Sequence, residues 1–167
     1  GNTETAIENI RRVNKIKTIL VDDEPRGLSS LQKLLQYNCP EVEVIAICQD
    51  AVEAREKIEQ LKPQLVFLDI VMPRKTGLDL LKDISPVNFE IIFVTAHENF
   101  MLKAFRFSAI DYLLKPVSDE KLLQALNKYE SLKKYFAQNL QQLLQSQQKQ
   151  GTEFKKRFLV KRGSDYI

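Results

Sequence analysis

The chain has 167 residues, 44% hydrophobic and 28% charged, with a formal net charge of +3. That suits one domain with extensions and is long enough to bury a full core, while so small a net charge does not by itself argue for nucleic acid. No apolar run approaches the roughly 20 residues a membrane helix needs, and nothing resembles a signal peptide. Cys39 and Cys48 have no metal-ligand spacing and form no CxxC, so they read as two reduced thiols of a cytosolic protein.

Residues 1–15 come first, opening on Gly rather than Met, which reads as a cloning remnant. Thr5 with Glu8 has the pattern of a capping box, followed by Ile7, Ile10 and Val13. This leader reads equally as a short helix, marginal unless docked, or as a frayed segment.

Five short apolar runs follow: 16–21, 42–47, 65–68, 91–94 and 112–114. Each is continuous rather than alternating, as in strands buried on both faces. Helical patterns lie between them. Pro25 can open the first, with Leu28, Leu31, Leu34 and Leu35 on one face. The second carries Ala51, Ala54, Ile58 and Leu61 and stops before Pro63. A shorter one follows Gly77, and another runs from about Glu98 to Phe107. Regular alternation of strand and helix predicts a doubly wound five-stranded parallel sheet of the flavodoxin-like kind, strand order 2-1-3-4-5.

After Pro116, Ser118 can cap a long helix with apolar positions at Leu122, Leu126, Tyr129, Leu132, Phe136, Leu140 and Leu143. Its first turns are expected on the sheet, closing a unit over 16–137. Residues 138–150 are Gln-rich and read either as a linker or as a helix extension that pairs with a copy of itself. From Phe154 the chain reads as a strand, a turn at Arg162-Gly163-Ser164 and the start of a second strand. Residues 151–167 thus look like a short β fragment, the beginning of a further domain.

In a doubly wound sheet, ligands bind outside the carboxyl ends of the strands. Strand one ends in Asp22, Asp23 and Glu24, strand three in Asp69, strand four in Thr95 and strand five in Lys115. Carboxylates crowded there repel one another and raise each other's pKa, and a hard divalent cation relieves this. Mg2+ is held by one or two carboxylates, waters and phosphate oxygens. A site that binds Mg2+ and presents a carboxylate suits phosphoryl transfer to that carboxylate. Lys115 can neutralise one phosphate oxygen, and the Thr95 hydroxyl can donate to another. Taken singly, each residue has a plain structural reading: a solvated loop, a strand end, a surface lysine. Their conjunction at one sheet edge carries the inference.

The segments Ile19-Leu20-Val21-Asp22-Asp23-Glu24-Pro25, Phe67-Leu68-Asp69-Ile70-Val71-Met72-Pro73 with Gly77, Val94-Thr95-Ala96, and Asp111-Tyr112-Leu113-Leu114-Lys115-Pro116 resemble, in order, the motifs of two-component receiver domains. The resemblance implies that Asp69 is the phosphoacceptor and a sensor histidine kinase the donor. It implies Mg2+ on Asp22, Asp23, Asp69 and the Val71 backbone carbonyl, with Lys115 and Thr95 on the phosphoryl group. Thr95 and Tyr112 would move together as the switch, and the Lys115–Pro116 bond would be cis.

The run from Ala104-Phe105 to Lys115-Pro116 looks like the subgroup whose output is a LytTR-type (LytR/AlgR) DNA-binding domain, and Phe158 to Gly163 resembles how that domain begins. DNA binding is expected of the full-length parent only; a stand-alone interaction module is the alternative. A homodimer is expected through Phe100–Phe107, strand five and the C-terminal helix. An aspartyl-phosphate phosphatase would carry a second Asp at the position of Val71, and no Walker or GxGxxG pattern appears. The chain therefore reads as a regulator with only self-phosphorylation and self-dephosphorylation chemistry. His97, the one histidine, and the basic residues Lys155 to Arg162 are read as solvated.

Overall fold

In the computed structural model, residues 1–13 and 15–160 are described, with side chains described over 1–9 and 15–148. The elements are α1 (Asn2–Val13), β1 (Ile16–Val21), α2 (Pro25–Asn38), β2 (Val42–Cys48), α3 (Ala51–Leu61), β3 (Leu65–Leu68), α4 (Gly77–Asp83), β4 (Glu90–Thr95), α5 (Met101–Phe105), β5 (Asp111–Leu114) and α6 (Asp119–Val160). The five strands form one parallel sheet in the order β2-β1-β3-β4-β5, as the alternation of patterns predicts.

The three central strands bury nearly every residue, and Phe67 and Phe93 are fully enclosed. Each such side chain contributes roughly 1.5–3 kcal/mol through removal from water. The edge strands differ from the sequence expectation. β2 and β5 are only half-buried, because an edge strand has a neighbour on one side alone. Three helices begin where a side chain satisfies a first free N–H group, whereas at α2 Pro25 opens the helix and Glu24 makes no side-chain cap. Asp50 accepts from the Glu53 N–H at 2.8 Å, Thr76 and Asp79 form a reciprocal capping box, and Ser118 accepts from the Lys121 N–H at 3.2 Å.

Four further expectations are corrected. Thr5 does not cap α1, which already begins at Asn2; its hydroxyl donates to the Gly1 carbonyl from inside the helix. The helix expected from Glu98 to Phe107 is a 3-10 turn, Glu98–Phe100, followed by five residues of α5. Only Ala104 of that stretch is buried, so little packing holds a longer helix. Packing separates the chain after Lys128 rather than at residue 137, into Gly1–Lys128 and Tyr129–Ile167. Within the first unit, Leu122, Ala125 and Leu126 of α6 are buried.

The tail also departs from its expected structure. Residues 138–150 are helical, and the β fragment expected from Phe154 is helix through Val160. A helix satisfies its own backbone hydrogen bonds, whereas a strand requires a neighbour. The turn and second strand expected over residues 161–167 lie outside the described residues. Both cysteines are buried thiols rather than a disulfide.

Candidate functional site

Parallel pairing brings the carboxyl ends of β1, β3, β4 and β5 to one edge, and backbone bonds continue the ladders one residue further. The Asp22 N–H donates to the Cys48 carbonyl at 3.0 Å, the Asp69 N–H to Val21 at 2.9 Å, and the Lys115 N–H to Thr95 at 2.9 Å. Three residues distant in sequence are thereby held by rigid strands. Asp22 is further fixed by accepting from the Glu24 N–H at 2.9 Å. The Lys115–Pro116 bond is cis.

The site is acidic and nearly closed. Asp22 and Asp69 are 6% and 5% exposed, and Asp23 is half-buried. Each of the three offers a carboxylate oxygen within 4.8 Å of the others. Lys115 donates to Asp22 Oδ2 at 2.6 Å and to Asp69 Oδ2 at 3.2 Å. Asp69 Oδ1 is buried with no hydrogen-bond partner among the described residues. Burial is the largest influence on the Asp69 carboxyl. It outweighs Lys115, with Asp22 pushing the same way as burial, so the pKa lies above the usual carboxylate range. Burial opposes the charge of Lys115, but the hydrogen bond to Asp22 and the field of Asp69 outweigh it, so its pKa is raised.

An orphaned carboxylate oxygen amid a three-carboxylate cluster matches the oxygen-only, high-charge donor set that Mg2+ takes. Asp22, Asp23 and Asp69 fit that ion. Val71 follows in the β3–α4 loop and is exposed.

Thr95 is fully buried at the end of β4, and its Oγ1 accepts from the His97 N–H at 3.4 Å. Tyr112 stands outside the acidic cluster. Its ring lies 6.1 Å from Phe93, and its hydroxyl donates to the His97 carbonyl. The expected switch pair therefore meets at the two ends of one residue's backbone.

Gly27 is not singled out by the sequence and Gly77 only as part of a motif, yet both have structural roles at the site. A Cβ on Gly27 would lie 2.5 Å from Asp22 Oδ2 and 3.3 Å from Lys115 Nζ. One on Gly77 would lie 2.3 Å from the Asp69 carbonyl oxygen. The available signal is a glycine in the first turns of a helix, where it costs about 1 kcal/mol relative to alanine.

A doubly wound sheet of this order with an acidic cluster and a lysine at its carboxyl edge defines a flavodoxin-like receiver. Residues 18–127 match the response regulator receiver domain family, and the chain belongs to that family. It is 41% identical over 114 residues to a response regulatory protein of Vibrio cholerae, covering 68% of this chain and 48% of that one. It is 38% identical over 112 residues to the transcriptional regulatory protein BtsR of Escherichia coli, covering 66% and 46%. The chain thus spans about half the length of these relatives. Among solved structures, it resembles the REC domain of AraT, a response regulator from Geobacillus stearothermophilus, with TM-score 0.64 and 27% identity over 72% of this chain and 97% of that one. It also resembles a DNA-binding response regulator of the LuxR family from Staphylococcus aureus, with TM-score 0.60 and 29% identity over 68% and 97%. No helix among the described residues is long and apolar enough to cross a membrane.

Proposed function

We propose that this chain is a phosphorylation-controlled switch in which Asp69 accepts a phosphoryl group from a phosphohistidine of a sensor histidine kinase. The observation that carries this reading is Asp69 itself: it is buried at a strand end, with one carboxylate oxygen unpartnered and the other 3.2 Å from Lys115. In the transfer, an Asp69 oxygen bonds to phosphorus while the bond from phosphorus to the imidazole nitrogen breaks. The imidazole keeps the electron pair and takes a proton from water, and Asp69 becomes an acyl phosphate. Mg2+, held by Asp22, Asp23, Asp69 and the Val71 carbonyl, would supply charge neutralisation at the phosphoryl oxygens. Lys115 turns from Asp22 toward the new anion, and the Thr95 hydroxyl donates to it. No further substrate is turned over, since the later reaction is hydrolysis of the acyl phosphate.

In this reading, drawing Thr95 inward loosens its contact with His97, whose carbonyl Tyr112 holds. That biases the face carrying Leu102 and Phe105, which are 85% and 80% exposed. We assign this face, with β5, to a phosphate-favoured homodimer.

The output is assigned to a LytTR-type DNA-binding domain. Support comes from the run between Ala104 and Pro116, and from relatives named transcriptional regulators that are about twice as long. DNA contact then belongs to the full-length parent, in the cytoplasm. Intact mass after incubation with a small phosphodonor and Mg2+ tests the site. Wild type gains one phosphoryl group and Asp69→Asn gains none; a normal yield on the variant would overturn the assignment.

A further inference from the structure

Beyond residue 128, α6 carries an apolar stripe that the receiver reading does not use. Phe136, Leu140, Leu143 and Leu144 are 57%, 58%, 59% and 53% exposed. With the half-buried Leu132 they follow steps of four, four and three residues, which keep to one face of a helix. The remaining surface of that stretch is mostly glutamine: Gln138, Gln141, Gln142 and Gln145.

We propose that this stripe is the seam of a parallel, two-stranded coiled coil with the same segment of a second copy of the chain. Three observations favour a second copy over another occupant. First, Asn139 lies beside Leu140 on the stripe and is half-buried. A carboxamide both donates and accepts, so it pairs with its own symmetry mate in a parallel, in-register arrangement; one Asn in a seam fixes register in this way. Second, residues 135–148 carry no charged side chain, so over that length an identical helix brings no like-charge repulsion and only Lys133 faces its own mate, where a heteromeric partner would ordinarily be selected by complementary charge. Third, the size suffices. Four side chains more than half exposed offer on the order of 400 Å2 per helix, so a symmetric pair with Leu132 and the Lys133 stem reaches ~1,000 Å2, the lower bound for a specific interface. Chain order is consistent with this, because the same spacing recurs in the sequence at Phe154 and Phe158.

The inference does not rest on phosphate acceptance at Asp69. Asp69→Asn is expected to leave the coiled coil unchanged, so the two readings fail separately.

Sedimentation equilibrium of the full 167-residue chain without a phosphate mimic tests it. A concentration-dependent dimer is expected, weakened at least tenfold by Leu140→Glu with Leu143→Glu and retained in Phe105→Glu. Loss of α6 helicity in the double variant could mimic this result, so a second measurement uses oxidative cross-linking. Asn139→Cys is expected to join two copies, and Gln138→Cys, one residue away and off the stripe, less than a tenth as well. The native thiols are buried and do not compete. A wild-type chain that stays monomeric at about 100 µM, a double variant that associates as wild type does, or equal cross-linking at the two cysteine positions overturns the proposal.

Discussion

The Lys115 ammonium lies closer to Asp22, at 2.6 Å, than to Asp69, at 3.2 Å. The residue assigned to neutralise a phosphate is thus engaged mainly by an acid assigned to the metal. Its charge already offsets part of the repulsion among the three carboxylates, so an incoming cation competes with it.

This competition gives opposite predictions for two neighbours. Lys115→Ala is expected to bind Mg2+ severalfold more tightly, because a positive charge is removed from beside the ligands. Asp23→Ala is expected to weaken binding at least tenfold, because a carboxylate ligand is lost. Calorimetric titration of both variants checks the pair. Chelation of Mg2+ should lower wild-type stability by about 2.7 kcal/mol relative to a concentration one hundred times the dissociation constant.

Gly77 tucks the start of α4 against the strand end that carries Asp69. A methyl group there meets backbone at 2.3 Å, which no rotamer change relieves. Gly77→Ala is expected to destabilise the protein by roughly 1–3 kcal/mol. It should also lower acyl-phosphate yield, because the Asp69 carbonyl must shift. Urea unfolding measures the first effect and intact mass the second.

Cys48 gives a pH prediction. Its thiol, ordinarily near 9.0, is pushed up to about 12, first by burial and then by the nearby Glu53. Between these values the unfolded chain releases a proton that the folded chain retains. The Cys48 contribution to stability is therefore full below pH 9.0 and falls as pH rises toward about 12. Cys48→Ala should flatten that slope in denaturant titrations at successive pH values. At neutral pH the buried thiol should resist alkylation until the protein unfolds.

The switch prediction joins Thr95 to Phe105. A beryllofluoride mimic is expected to tighten self-association at least tenfold over the unliganded chain. Thr95→Ala should remove that tightening while leaving mimic binding measurable, and Phe105→Glu should remove it by placing charge in the face. Light scattering with and without the mimic decides this. Equal tightening in wild type and Thr95→Ala would break the proposed coupling.

The sequence alone determined the order of elements, because strands buried on both faces carry apolar runs, as residues 19–21 of β1, all of β3 and residues 91–94 of β4 do. It also determined which residues reach the carboxyl edge, since strand ends can be counted. Local pattern misled where a segment's partner lies outside its own sequence. The apolar run after Phe154 reads as a strand, but the described backbone is helix, which needs no neighbour. Likewise α5 shows an apolar pattern over residues that remain exposed. Only tertiary structure decided that Lys115 rests on Asp22, that Asp69 keeps an unpartnered oxygen, and that Gly27 and Gly77 leave room for both acids. Those facts depend on distances between groups many residues apart, which chain periodicity does not encode.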